Sequence, residues 1–426
     1  MRYLGNKESI VSEIYSLLSD KGLIKKELSF FDAFCGSGSV ADYFKEYYNN
    51  IIINDNLTWS VVYAGGRLRS QHCTFSKLGF DPFEYFNCSD DVAHGFIYKN
   101  YSPAESSRMY FTPENAGRID FFRSKIEEWK NSSLITKDEY NYLLACLIES
   151  VSDVSNTAGV YGAFLKKWDS RALKPIVFDR VDSKAKKCHK LSTFNSKIEE
   201  IIDTVECDIL YLDPPYTQNQ YGTQYHLLET LILDDNPSIS TVTGSRSTAP
   251  MRSDWSKEYK ANILFDRILA KTKARYVVLS YNNDGFMSKE YIEASMKRYG
   301  KPETYVCKKI SYKKYQNWKS NNPNAHFEYL FFVELKDKSD VLYESPLNYI
   351  GSKSKIVSDI RSHAPVHYNR FIDAFGGGFN VGINISADSI IYNDINHFVT
   401  ELVESFKVND TYQYLSLIHI SEPTRP

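Results

Sequence analysis

At 426 residues, 42% hydrophobic, 24% charged and with a formal net charge of −2, the chain has the composition of a soluble globular protein with room for two or more cores. No apolar run approaches the ~20 residues of a membrane span, and the opening Met1-Arg2-Tyr3-Leu4-Gly5-Asn6-Lys7 lacks the apolar core of a signal peptide. The seven cysteines include no C-x-x-C pair, which argues against a zinc site or a disulfide frame and for a reducing, cytoplasmic setting.

Taken in chain order, Ile10, Ile14, Leu17 and Leu18 mark the buried face of an opening helix. Leu28 to Phe34 reads as a strand running into the turn Cys35-Gly36-Ser37-Gly38, Val40 to Tyr47 as a helix, and Ile51-Ile52-Ile53 as a second strand. Thr112-Pro113-Glu114 is a helix start, and Thr136 with Glu139 has capping-box spacing ahead of the apolar run Leu143 to Val151. Residues 208–212 form a short apolar strand, and Tyr276 to Ser280 and Tyr329 to Glu334 complete the strand set. Strands alternating with helical segments predict a doubly wound α/β sheet. Residues 217–260 read as a long polar loop whose Gln218, Gln220, Thr223, Gln224, Ser245 and Arg246 can reach base edges. Two basic stretches suit phosphate contacts: residues 165–190, and residues 301–319 with Tyr305, Tyr312, Tyr315 and Trp318 interleaved.

Part of the sequence occurs twice. Tyr3-Leu4-Gly5-Asn6-Lys7 returns as Tyr349-Ile350-Gly351-Ser352-Lys353, Phe31-Asp32-Ala33-Phe34-Cys35-Gly36 as Ile372-Asp373-Ala374-Phe375-Gly376-Gly377, and Asn54-Asp55 as Asn393-Asp394. The order and gaps match, so a domain is duplicated. The expected division is a first domain over 1–338, a charged linker from Lys336 to Tyr343, an incomplete second copy over 345–413, and a non-native tail over 414–426.

The chemistry concentrates after the strand at 208–212, in Asp213-Pro214-Pro215-Tyr216. Two prolines donate no N–H, so pairing stops and carbonyls are left free at the strand's carboxyl end, where open α/β sheets bind ligands. A carboxylate and a proline carbonyl can accept both hydrogens of an exocyclic amino group, and Tyr216 can stack on the ring that carries it. In Asp32-Ala33-Phe34-Cys35-Gly36-Ser37-Gly38 the glycines permit close backbone approach, and Asp32 sets a carboxylate there that suits a cation rather than a pyrophosphate. Asp55, at the end of the next strand, can accept from ribose hydroxyls.

The ordered set Y-x-G-x-K, D-x-F-x-G-x-G, N-D, D-P-P-Y, Ser280-Tyr281-Asn282-Asn283 and Phe327-Glu328-Tyr329-Leu330-Phe331 resembles the DNA adenine-specific (N6) methyltransferases of the Dam-like class over roughly residues 1–335. The tandem layout resembles the FokI-type modification methyltransferases of type IIS restriction systems. The resemblance implies a Rossmann-like sheet with an inserted target-recognition region, S-adenosylmethionine as cofactor, double-stranded DNA as substrate, a cognate restriction endonuclease as partner, and no metal. It further implies cofactor contacts from Tyr3, Lys7, Asp32, Phe34, Gly36, Gly38, Asp55 and Asp213, with Lys7 pairing the methionine carboxylate, and a catalytic set of Asp213, Pro214, Pro215 and Tyr216. In the second copy Phe379 stands where the first has Gly38, which opposes close cofactor approach. An RNA amino-methyltransferase would use the same site, a dehydrogenase would have no use for D-P-P-Y, and a DNA-binding protein without catalysis would not need Asp213.

Overall fold

The computed structural model describes residues 3–181, 183–184, 186–311, 327–345, 347 and 349–405. Its centre is a seven-stranded sheet in the order β3-β2-β1-β4-β5-β7-β6. The strands are β1 (Ser29–Asp32), β2 (Asn50–Asn54), β3 (Lys190–Phe194), β4 (Ile209–Leu212), β5 (Tyr276–Asn282), β6 (Val306–Ser311) and β7 (Phe327–Glu334). The first five run parallel, while β7 is antiparallel to β5 and to β6. This is the expected doubly wound sheet, and its order reverses between β1 and β4.

The alternation of side chains on β1 shows why the sheet is covered twice. Phe30 is fully buried on one face with Phe44, Ile51 and Ile53; Phe31 is fully buried on the other with Leu210, Val277 and Leu279. Strands buried on both faces read as continuous apolar runs. The helices α1 (Val11–Asp20) and α2 (Ser39–Phe44) cover the first face. The second carries α8 (Ile198–Ile201), α11 (Glu258–Lys271) and α12 (Lys289–Tyr299).

A third core lies in a helical lobe inserted between β2 and β3. It comprises α3 (Thr58–Arg69), α4 (Pro82–Cys88), α5 (Phe96–Tyr101), α6 (Pro113–Asn131) and α7 (Lys137–Val154). The expected starts hold: Thr112 caps α6, and Thr136 with Glu139 forms a complete capping box on α7. Residues 217–260 are not a continuous loop. Their apolar Leu227, Leu228, Leu231 and Ile232 build α10 (His226–Leu233), preceded by the single turn α9 (Tyr221–Gln224), and α10 packs into the lobe's core. The lobe and α10 therefore leave the sheet at the carboxyl ends of β2 and β4, on the two sides of the switch point.

Two strands escaped the sequence reading. β3 is a half-exposed edge strand without an apolar run. β6 lies inside the basic stretch read as a phosphate surface; there Lys308 pairs with Glu13 at 2.7 Å and Lys301 with Glu334 at 2.7 Å, so those charges serve the sheet's edge. Tyr312, Tyr315 and Trp318 lie outside the described residues, as does the tail over 414–426. Val341 is buried in the core on the second face of the sheet, so the segment after Lys338 packs on the first domain rather than hanging free.

The segment over 349–405, expected to be a second copy, shows local geometry like that of the first. It consists of α13 (Val357–His363), the parallel pair β8 (Tyr368–Asp373) and β9 (Ala387–Tyr392), and α14 (His397–Ser405). Asp394 accepts from the amide of Gly377 at 2.9 Å, as Asp55 does from Gly36 at 3.0 Å. Asn393 donates to Ala374 O as Asn54 donates to Ala33 O. Phe379 takes φ +64°, close to the +70° of Gly38, so the second copy keeps a left-handed turn with a residue that pays for it in strain.

Candidate active site

The carboxyl ends of β1, β2 and β4 open into one cleft. It collects Tyr3, Lys7, Asp32, Phe34, Gly36 and Asp55 with the whole Asp213-Pro214-Pro215-Tyr216 segment. Of the residues expected to hold the cofactor or carry the catalysis, Gly38 alone does not line it. A Cβ there would lie 2.7 Å from that of Ala64, so Gly38 serves the close approach of α2 to α3 at φ +70°.

The Gly-rich turn is fastened from below. The carboxylate of Asp55 accepts from the amides of Gly36 (3.0 Å) and Leu57 (2.9 Å), and the Ser60 hydroxyl donates to Gly36 O at 2.6 Å. Gly36 has φ +51°, and a Cβ on it would lie 2.6 Å from the ring of Tyr3. That ring closes the cleft wall in contact with Trp59, Tyr221 and Tyr225. Two of the four lone-pair positions of Asp55 are thus occupied, leaving others for a ligand hydroxyl.

Asp32 is 1% exposed, and no side chain among the described residues donates to its carboxylate. Burial, with the charges of Asp213 and Asp55 adding, pushes its pKa well above the usual carboxylate range, against the amides of Ala41 and Phe34. Burial also raises Asp55, against the amides of Leu57 and Gly36. A buried, unpaired carboxylate at the cleft floor is costly and calls for a cation or a donor.

Lys7 does not protrude into solvent. It is 6% exposed, with its Nζ 2.6 Å from Glu328 Oε1 and 3.2 Å from Asp213 Oδ1. Burial alone would lower its pKa, but the Asp213 and Glu328 carboxylates outweigh this and hold it above the ordinary lysine value. Asp213 is pushed up to about 7 by burial, with Lys7 pulling down and Glu328 pushing up. The Lys7 ammonium also sits 5.8 Å from the centre of the Tyr216 ring, which meets Tyr281 edge-on at 6.2 Å. The lysine expected to meet a ligand carboxylate is therefore held by two carboxylates of its own chain.

Glu328 completes this cluster and was not singled out from the sequence. It is 3% exposed on β7, opposite Asn282 of β5, and also accepts from the Ser280 hydroxyl. Its signal was present: a glutamate inside Phe327-Glu328-Tyr329-Leu330-Phe331, an otherwise apolar strand, must be paired to be buried. Ser280-Tyr281-Asn282-Asn283 is its support, since Asn283 exchanges hydrogen bonds with the backbone of Phe327. Among the candidates for base edges, Arg246 is occupied by a bidentate pair with Asp235 at 2.7 and 2.9 Å, and Gln220 exchanges hydrogen bonds with the backbone of Ser253.

The sequence matches those of known proteins over most of the chain. The profile of the D12 class N6 adenine-specific DNA methyltransferases covers residues 3–295 and 349–423. The chain is 35% identical to the type II methyltransferase M.FokI of Planomicrobium okeanokoites, over 98% of its own length and 68% of the relative's. It is 35% identical to the modification methylase StsI of Streptococcus sanguinis, over 96% and 65% respectively. It thus spans about two thirds of the length of these relatives. It is also 33% identical to the type II methyltransferase M.NlaIII of Neisseria lactamica, over 78% of this chain and 99% of that one. By both the profile and the extent of these matches, the chain belongs to the D12 class N6 adenine-specific DNA methyltransferases.

Proposed function

We propose that the chain transfers a methyl group from S-adenosylmethionine to the exocyclic amino nitrogen of an adenine flipped out of duplex DNA, as the modification enzyme of a restriction system with an asymmetric site. The observation that carries this reading is the convergence, in one cleft, of the Asp213-Pro214-Pro215-Tyr216 segment with the unpaired carboxylate of Asp32 and the Gly36–Asp55 turn.

The residues fit the cofactor. Bound there, it would supply an electrophilic methyl on a sulfonium centre. Asp32 offers an unpaired carboxylate toward that positive charge, Asp55 has lone pairs for the ribose, and Tyr3 on Gly36 forms the wall. Adenine's amino lone pair is delocalised into its ring and is a weak nucleophile. Hydrogen bonds from the amine to Asp213 and to the carbonyl of Pro214 favour a pyramidal nitrogen with a localised lone pair. Tyr216 stacks on the extruded base and offsets the few kcal/mol of unstacking. Asp213 orients the amine and need not be a strong base, but it must be ionised to accept. Lys7 favours that state.

The repeat supports the asymmetric site. A palindrome offers both strands to one enzyme, whereas an asymmetric sequence presents adenines in two contexts, and base contacts fitted to one mismatch the other by ~1–3 kcal/mol per position. Two specificities in one chain answer that need. A cognate endonuclease and a cytoplasmic setting follow from this role.

Labelled methyl transfer to duplex DNA, RNA and protein tests the reading. Duplex DNA should be labelled at N6 of adenine on one strand of a short asymmetric sequence. Asp213→Ala should abolish transfer while weakening cofactor binding only moderately. Preferential labelling of RNA or protein, or near-wild-type rates in Asp213→Ala, would overturn it.

A further inference from the structure

The segment that leaves α10 forms a stiff finger whose bracing exceeds what its own packing needs. It starts at Asp234, which takes a left-handed φ of +50°, and folds back on itself through an antiparallel bridge between Ile239 and Arg246. The turn is tied by Ser240 N–H to Ser245 O (2.9 Å), Gly244 N–H to Ser240 O (3.1 Å) and Ser245 N–H to Ser240 Oγ (3.0 Å). The helical lobe then grips it by its carbonyls. Arg108, 8% exposed, donates to Ser240 O at 2.9 Å and Thr241 O at 3.0 Å, and also to Asn100 O at 2.8 Å. The Tyr101 hydroxyl donates to Gly244 O at 2.7 Å, and that of Tyr110 lies 3.0 Å from Thr243 O. Gly244 has φ +71°, and a Cβ there would lie 2.8 Å from the Tyr101 ring, so the grip admits only glycine.

Four consecutive or near-consecutive carbonyls thus face inward, and a buried arginine is spent to hold them. The tip is left outward: Thr241 is exposed and Val242 is 75% exposed. Little of the finger itself is buried; its carbonyls satisfy the buried hydroxyls of Tyr101 and Tyr110, and the same bonds fix where the tip stands. The return leg leads straight to Met251 and Ser253, which line the catalytic cleft. The finger's one cation, Arg246, is committed to Asp235. A rigid, uncharged tip with a hydroxyl and a branched apolar side chain is ill suited to phosphates. It suits base edges, where threonine hydroxyls take hydrogen bonds and apolar side chains meet the thymine methyl.

We propose that the finger over 238–247 is a base-reading element for duplex DNA flanking the target adenine, with Thr241 and Val242 making the sequence-dependent contacts. This rests on the proposed activity on DNA. Preorganisation gives it its value: a tip fixed in advance loses little entropy on docking and discriminates sharply.

The test is methylation of a duplex pool randomised around the adenine, read by modification-sensitive sequencing, with wild type, Val242→Ala, Thr241→Ala and the double variant. Both side chains are exposed, so the variants fold. The variants should lose about ten- to a hundredfold of discrimination at one or two positions beside the target adenine, while the salt dependence of DNA binding keeps the wild-type slope. A sequence profile unchanged in all three variants, or a uniform fall in rate across every sequence, overturns the finger's role while leaving the proposed activity intact. Failure of the wild-type enzyme to methylate any duplex removes both.

Discussion

Replacing Glu328 by glutamine should move the acid limb of the pH–rate profile downward. In the wild-type cleft Lys7 stands 2.6 Å from Glu328 and 3.2 Å from Asp213, which places the two carboxylates within about 6 Å of each other. At that separation two like charges repel by roughly 3 kcal/mol at an effective dielectric of ~20, equivalent to about two pH units in the titration of Asp213. Removing the Glu328 charge both ends this repulsion and leaves the Lys7 ammonium to Asp213 alone. The methyl-transfer step needs Asp213 ionised, so the wild-type rate should rise as pH climbs through about 7, where burial has lifted that carboxyl. In Glu328→Gln the same rise should fall by up to about two pH units. Lys7→Met should move it the other way, by at least as much, since the nearest compensating charge is gone. The assay is single-turnover methylation of a duplex substrate between pH 5 and 9, which isolates chemistry from product release. Limbs that coincide in wild type and Glu328→Gln, or that move in the same direction in the two variants, would refute the assignment.

Gly36→Ala should abolish cofactor binding by titration calorimetry, because its Cβ would fall 2.6 Å from the Tyr3 ring and the left-handed φ of +51° costs a further ~1–2 kcal/mol; retained affinity would show that the turn does not hold the ligand. Asp213 titrates higher in the folded chain than in the unfolded one, so its contribution to stability is full below pH ~4 and lost as pH rises through about 7. That loss amounts to as much as about 4 kcal/mol. Urea unfolding of Asp213→Asn should therefore fall less steeply between pH 5 and 7.5 than that of wild type.

What could be read from sequence followed the physics of each element. β1, β4 and β5 were legible because strands buried on both faces are uninterrupted apolar runs, and the capping box of Thr136 and Glu139 because it is a purely local pattern. β3 and β6 were not, since an edge strand has one solvated side and its lysines look like any charged surface. α10 was hidden because its apolar stretch, Leu227 to Leu233, is short and lies inside a polar region. The cleft's membership was largely legible from motif order, with Gly38 belonging instead to helix packing. The bonding of Lys7 was not. Its two partners lie in β7 and just past β4, and no local pattern encodes a contact between residues 321 apart.

That separation also sets when an emerging chain becomes competent. Lys7 is made first, Asp213 after most of the helical lobe, and Glu328 only in the last-paired strand of the first domain. At ribosomal speeds of about 5–20 residues per second, the stretch from Asp213 to Glu328 takes roughly six to twenty-three seconds. Throughout that interval Lys7 lacks the Glu328 carboxylate, and once β5 has emerged it waits for its antiparallel neighbour. The central sheet therefore has an open edge at β5 until β7 emerges, and closing so long a loop is slow compared with local helix formation. The Lys7–Glu328 contact therefore belongs to the last long-range contacts of the first domain to close, after β7 has left the ribosome.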